Sequence, residues 1–190
     1  MERADIYRQQ FADTNFIEEP LPTGDYEQCR FSNCNFAGAH LAKTFFTDCT
    51  FENCSLDNAR ISDTAFRNVN FNHCKMQGLH FENCNPFLLQ INFEQCNLSY
   101  SSFYRVKMDK PRFNHSILRE VEFAEAQLPG ANFSEADLTD AHFEQTQLQG
   151  ADFCTAINFC IHPANNHIQK AKFATQNLAG LLIEFGIEIS

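Results

Sequence analysis

From Phe31 to Phe81 every fifth residue is large and apolar, and the same rhythm resumes at Phe93 and runs to Phe153. The two runs hold 24 such centres, each Phe, Leu, Ile or Met, and their registers extended to Phe11, Phe16 and Phe173 gather 17 of the 21 Phe in the chain. Chance would place only about a fifth of them on one five-residue register, so the periodicity is an internal repeat. A second position is equally regular. Two residues before each centre stands a small side chain in 21 of the 24 pentads, from Cys29, Cys34, Ala39 and Thr44 to Ala151, with Leu79, Ile91 and Pro111 as the exceptions. The remaining three positions are polar, rich in Asn, Asp, Glu, Gln and Ser.

A period of five fits neither the 3.6 of a helix nor the 2 of an ordinary strand. It fits a chain that turns a corner every five residues, so that four pentads close a square coil of 20. Centre and small residue then point inward, and coils stack at about 4.8 Å through backbone hydrogen bonds. Such a coil buries little until neighbours stack on it, which accounts for the length of the array.

Between Phe81 and Phe93 the spacing is 12, two residues more than two pentads. The register break near 84–91 reads as a bulge at one corner, or as a binding loop presenting apolar surface at Phe87 to Leu89. No linker accompanies it, so residues 1–175 form one repeat domain. The pattern fails from Asn158 to Asn166 and returns at Ile168 and Phe173. In 176–190, Leu178, Leu181, Leu182 and Phe185 recur at i, i+3, i+4 and i+7, which predicts a short helix. Gly186 follows as its C-cap, and Ile187 and Ile189 alternate as a short strand. An open solenoid end must be covered. The stripe either caps its own coil or packs against the same element of a second chain in a two-fold interface.

Motifs such as CRFSN (29–33), CNFAG (34–38), ANFSE (131–135), ADLTD (136–140) and ADFCT (151–155) resemble the pentapeptide-repeat family over roughly residues 6 to 178. That resemblance implies an all-β, right-handed quadrilateral β-helix. The all-repeat body, the mid-chain break and the LLIEFGIEIS tail resemble the Qnr/MfpA branch, and AINFCIHPANNHIQKAKF looks like the immunity protein AlbG. The branch binds bacterial type II topoisomerases, protects them from quinolones or peptide toxins, dimerises through the C-terminus and offers a DNA-like surface. By resemblance, then, this chain is expected to be a DNA mimic of DNA gyrase or topoisomerase IV. It is expected to dimerise through Leu178, Leu181, Leu182, Phe185 and Ile187. It lacks the long loops of Gram-negative Qnr proteins, so a toxin-immunity role like that of AlbG or McbG, or weaker gyrase modulation, fits better. The alternative is a non-enzymatic scaffold that binds another cytoplasmic protein.

Composition narrows the chemistry. With 14 Lys plus Arg against 24 Asp plus Glu, the net charge of −10 is the reverse of a direct nucleic-acid binder. No apolar run approaches the ~20 residues of a spanning helix, and the charged start MERADIYRQQ has no export signal, so a cytoplasmic protein with reduced thiols is expected. Seven of the nine Cys sit at the small inward position, where a free thiol packs as a compact hydrophobe. Cys154, Cys160, His162 and His167 match no common zinc spacing. Phosphate loops, nucleophile elbows and HExxH are all missing, so neither an enzyme nor a cofactor or metal site is expected.

The informative charge is local. Glu120, Glu122, Glu125, Glu135, Asp137, Asp140, Glu144 and Asp152 occupy a stretch without Lys or Arg, uncompensated along the chain. Upstream lie Arg105, Lys107, Lys110, Arg112 and Arg119, so the rod reads as polarised along its axis. Roughly seven coils at ~4.8 Å make a rod of ~34 Å, and duplex of that length carries about 20 charges. Any mimicry is therefore local, and it points to a basic, DNA-tracking protein partner rather than to DNA.

Overall fold

The corner is made the same way in nearly every pentad. Two residues after the centre the backbone turns left-handed, as at Asn33 (φ 54), Asp63 (φ 56) and Glu125 (φ 56), with glycine at Gly38 and Gly130. That conformation costs a non-glycine residue roughly 1–2 kcal/mol, which favours Asn, Asp and Gly there. One residue before the centre, Asn or Asp closes a local turn by accepting a backbone N–H two residues on. Asn35 Oδ1 receives Ala37 N at 3.1 Å, and Asn132 Oδ1 receives Ser134 N at 2.9 Å. The polar residues of the repeat are thus corner-makers first.

The computed structural model describes residues 4–187. It shows an all-β, four-faced solenoid, the architecture that the period predicts. One face carries β1 (Ala4–Tyr7), β3 (Gly24–Glu27), β5 (Phe45–Thr47) and β7 (Ala65–Arg67), all parallel. The next carries β2 (Gln10–Ala12), β4 (Arg30–Ser32), β6 (Thr50–Glu52), β8 (Val69–Asn72), β9 (Ile91–Glu94) and β10 (Phe113–Asn114). Register is direct: Phe31 lies opposite Phe51, and Phe51 opposite Phe71. The other two faces are joined by single bridging pairs such as Asn35 with Ser55 and Glu122 with His142.

All 24 centres point inward, none more than 4% exposed. Stacking them coil on coil produces a ladder of Phe rings through the second face. Phe11, Phe31, Phe51 and Phe71 are 4.6–4.8 Å apart, and Phe113, Phe133, Phe153 and Phe173 are 4.6–5.2 Å apart. Rings on adjacent faces meet edge to face, as Phe113 and Phe123 do at 5.7 Å and 81°, which suits the ring quadrupole. The small position is buried throughout, including the exceptions Leu79, Ile91 and Pro111. Its Cys, Thr and Ser occupants also donate hydrogen bonds. Cys54 Sγ reaches Phe31 O at 3.5 Å, Thr64 Oγ1 reaches Leu41 O at 2.8 Å, and Ser101 Oγ reaches Met76 O at 3.0 Å. All nine Cys are free, seven of them buried. Burial pushes the Cys49 thiol up to about 12.

The register break is absorbed on the first face. Across it Val69 pairs with Ile91 and Phe71 with Phe93, a step of 22 residues instead of 20, and the Phe ladder widens there to 5.8 Å. Pro86, Phe87 and Leu88 turn outward, with Leu88 left-handed (φ 59), and Leu89 swings in to fill the core. Asn85 N to Thr64 O and Gln90 N to Phe66 O, both 2.9 Å, pin the ends of the turn to the preceding coil. The reading as a corner bulge describes the backbone, and the reading as an apolar surface describes Phe87, which is 65% exposed.

The C-terminal helix forms as two 3-10 segments, Thr175–Leu181 and Ile183–Phe185, rather than as the α-helix implied by an i, i+3, i+4, i+7 stripe. Close packing dictates this. Ile161 N donates to Gly180 O at 2.9 Å, and a Cβ at Gly180 would run into the Phe159 carbonyl and ring. Gly186 is left-handed (φ 62), as a C-cap requires. The short strand involves Ile189, which lies outside the described residues. In the irregular stretch Asn166 takes the inward position, and its amide donates to Phe143 O at 3.0 Å and His162 O at 3.1 Å.

Because each ladder ring is clamped between two others, Phe133→Ala should cost about 3–5 kcal/mol through lost burial plus cavity, read from urea unfolding. A loss below about 1 kcal/mol would contradict the inward ladder.

Candidate functional site on the acidic flank

The solenoid changes the charge pattern expected from the linear sequence. A stretch without Lys or Arg is not uncompensated, because cations arrive from one coil away. Arg105 lies one coil before Glu125 and binds it through Nε to Oε2 at 2.7 Å and Nη2 to Oε1 at 3.1 Å, while Tyr104 donates its hydroxyl to Oε1 at 3.0 Å. Arg119 Nε donates to Asp137 Oδ2 at 2.7 Å, and Lys172 Nζ lies 3.5 Å from Asp152 Oδ2. His142 Nδ1 is 2.9 Å from Glu122 Oε1, and His115 Nδ1 is 3.2 Å from Glu135 Oε2. Four of these five pairings were legible in the numbering, since 105 and 125, 115 and 135, 122 and 142, and 152 and 172 each differ by one coil, whereas Arg119 and Asp137 are 18 apart.

Three of the eight acids also build their own corners. Glu122 accepts Ala124 N at 2.7 Å, Asp137 accepts Thr139 N at 3.2 Å, and Asp152 accepts Cys154 N at 3.0 Å. Asp137 is the most committed. Partial burial works against its charge, but hydrogen bonds from Thr139, Asn158 and Arg119 outweigh it and hold the carboxyl down at about 2. Arg105 and Tyr104 likewise lower Glu125, and the Cys154 backbone N–H lowers Asp152.

What remains is a smaller set of outward charges. Glu120 and Asp140 are exposed at left-handed corners of successive coils (φ 53 and 56), and neither has a hydrogen-bond or ion-pair partner among the described residues. Their backbones are in direct register, Glu120 N donating to Thr139 O at 3.0 Å. Glu144 accepts from Asn165 Nδ2 at 3.3 Å and borders a polar cleft of about 710 Å³ that also takes in Glu125, Gln147 and Pro163.

At the C-terminal end, Leu178 (41%), Phe185 (55%) and Ile187 (54%) are exposed, whereas Leu181 and Leu182 are half-buried. Ile183, which the stripe did not include, is also exposed, and the Phe185 ring meets His162 at 5.1 Å. A third surface lies at the register break, where the sequence pointed to Phe87 to Leu89 but not to Arg67 or Phe45. At the outward turn the Arg67 guanidinium lies between two rings, 5.2 Å from the Phe45 centroid and 5.5 Å from the Phe87 centroid. Among the described residues no three His, Cys, Asp or Glu side chains converge as metal ligands, and no helix is long and apolar enough to cross a membrane.

A family model described as a pentapeptide repeat region matches residues 25–86 and 79–153. Among solved structures, a trypsin-treated form of QnrB1, a plasmid-mediated fluoroquinolone resistance protein, is similar at a TM-score of 0.65 and 18% identity. That match covers 97% of this chain and 99% of the other. A second trypsin-treated QnrB1 variant gives 0.63 and 17%, over 96% of this chain and 99% of the other. At these identities the likeness establishes the fold. No curated protein matches the chain in sequence.

The depressed Asp137 carboxyl makes a pH prediction. A lowered folded-state value stabilises the protein above the unfolded value of about 4, and that contribution disappears as pH falls toward about 2. Asp137→Asn should therefore lower the urea midpoint at neutral pH and flatten its fall across that acid window. An unchanged slope would mean that the Asp137 cluster is not what titrates.

Proposed function

From the premise that this chain belongs to the pentapeptide-repeat family, we propose that it is a non-enzymatic, DNA-mimicking protein that binds a bacterial type II topoisomerase. The partner is DNA gyrase or topoisomerase IV, met where the enzyme holds its gate DNA segment, and binding shields it from a quinolone or a toxin. The observation that carries this reading is the acidic edge of Glu120 and Asp140, stacked one coil apart and without partners among the described residues, with Glu144 four residues on. Backbones one coil apart stand about 4.8 Å from each other, so such an edge stacks negative charge along a line, as a phosphate backbone does. The paired acids contribute less, since Glu125, Asp137 and Asp152 are partly neutralised by Arg105, Arg119 and Lys172, and Glu122 and Glu135 are engaged by His142 and His115. The fold likeness to a fluoroquinolone resistance protein supports the choice of partner.

A single chain offers a short charged edge. A homodimer joined through the exposed Leu178, Phe185 and Ile187, with Leu181 and Leu182 beneath, would double its length. Changing Leu182 and Phe185 to Asp should then give monomers by light scattering, where the unaltered protein gives dimers. An unaltered protein already monomeric at micromolar concentration would reduce the segment to an end cap.

The functional test is gyrase supercoiling with the protein titrated in, with and without a gyrase poison. Affinity should fall as salt rises, and the unpaired acids should act largely on association rate. Glu120→Lys with Asp140→Lys should weaken binding by about tenfold or more at unchanged circular dichroism, because both side chains face water. Glu125→Lys is the contrasting variant, since it sets a cation against Arg105 and should cost stability. Neither inhibition nor protection by a folded dimer at micromolar concentration would favour a scaffold for another protein.

A further inference from the structure

One face of the solenoid carries apolar side chains on its outside. Apart from the first coil, the register break and the C-terminal segment, the large apolar residues exposed among the described residues are Tyr100, Ile117 and Ile157. All three lie on the face whose inward centres are Leu98, Leu118 and Leu138, the face that also bears Glu120 and Asp140. They stand in two columns. Ile117, Asp137 and Ile157 are bridged in direct register, and Tyr100 lies one coil before Glu120, its N–H donating to Arg119 O at 3.0 Å. Each column spans two steps of about 4.8 Å.

The fold gains little from these choices. Ile117 and Ile157 occupy the position just before the centre, where Asn35 and Asn132 close the corner by accepting a backbone N–H, and isoleucine has no atom that can accept. Tyr100 occupies a left-handed corner (φ 64), a conformation that suits a bulky side chain poorly. The regular coils otherwise put glycine or a polar residue there, such as Gly38, Asn33 or Asp63. Three outward side chains that bring neither a corner bond nor full burial, all on one face, point to a contact outside the chain.

Charge says what kind of contact. Asp137, between the two isoleucines, is answered by Arg119 Nε at 2.7 Å and by Asn158 Nδ2 at 2.9 Å, so that column is close to neutral. The neighbouring column carries Glu120 and Asp140, without partners among the described residues. A surface that complements both columns has lysine or arginine beside an apolar hollow, and such a surface belongs to a protein. We propose that Tyr100, Ile117 and Ile157 are the anchors by which this face selects its partner, a basic protein surface with an apolar hollow beside its cations. The inference rests on the topoisomerase reading and adds the specificity that a line of charge lacks. Any DNA-binding protein attracts Glu120 and Asp140, whereas only one with the hollow accepts the three apolar side chains.

Tyr100→Asn, Ile117→Asn and Ile157→Asn each install a residue that the repeat uses at that position, as at Asn33 and Asn35, and none alters the charge. Biolayer interferometry of the full-length protein against purified DNA gyrase and topoisomerase IV, at several salt concentrations, reads the effect. Each replacement should weaken binding by about tenfold, with the slope of affinity against salt unchanged and the urea midpoint not lowered. Glu120→Lys with Asp140→Lys should instead flatten that slope. Equal affinity of the unaltered protein and all three variants overturns the anchors and leaves the topoisomerase reading standing on charge alone. A midpoint that falls with the affinity, or loss of a dimer by light scattering, makes the residues structural or self-associating and overturns the proposal too. An unaltered protein that binds neither enzyme overturns the topoisomerase reading itself, and the anchors with it.

Discussion

Every property of this molecule descends from the backbone hydrogen bond between residues one coil apart. That bond holds each coil in parallel register on the last, so residue i sits beside residue i+20 as closely as strands in a sheet sit. Like is therefore stacked on like. On the second face a Phe at each centre meets a Phe at the next, from Phe11 to Phe173. The same rule stacks Cys34, Cys54 and Cys74 as small buried donors, where a larger side chain would force the rings apart. The corners are the cost of the arrangement, one left-handed residue per pentad, offset by the Asn and Asp side chains that close the adjoining turn.

The same register rewrites the electrostatics. Along the chain, Glu120 to Asp152 is a block of one sign. On the solenoid it is crossed by Arg105, Arg119 and Lys172, with His115 and His142 between. Three of its members spend a carboxylate oxygen on their own corner. An acidic surface in a solenoid is thus a matter of columns rather than segments. In the column through Glu120 and Asp140 neither carboxylate has a partner among the described residues. Where the columns are interrupted, at the two-residue insertion, the step becomes 22 residues and Pro86 to Leu88 are turned outward.

The repeat domain was legible almost residue by residue. Inward positions alternate with outward ones at a fixed period, and burial tolerates few side-chain types, so Phe31, Cys34 and Phe36 announce their places without a structure. Even the insertion was visible as a spacing of 12. Tertiary structure alone decided which residues of the break face out, because Pro86 and Leu89 suit either side and the choice depends on how Leu89 fits beneath the turn. It decided that the last segment winds as 3-10, because the close approach of Gly180 to Phe159 is a contact across the coil, invisible in the local stripe. It also decided which acids stay unpaired. Side chains reach diagonally as well as along the column, as Arg119 does to Asp137, and that reach depends on corner geometry that no five-residue pattern encodes.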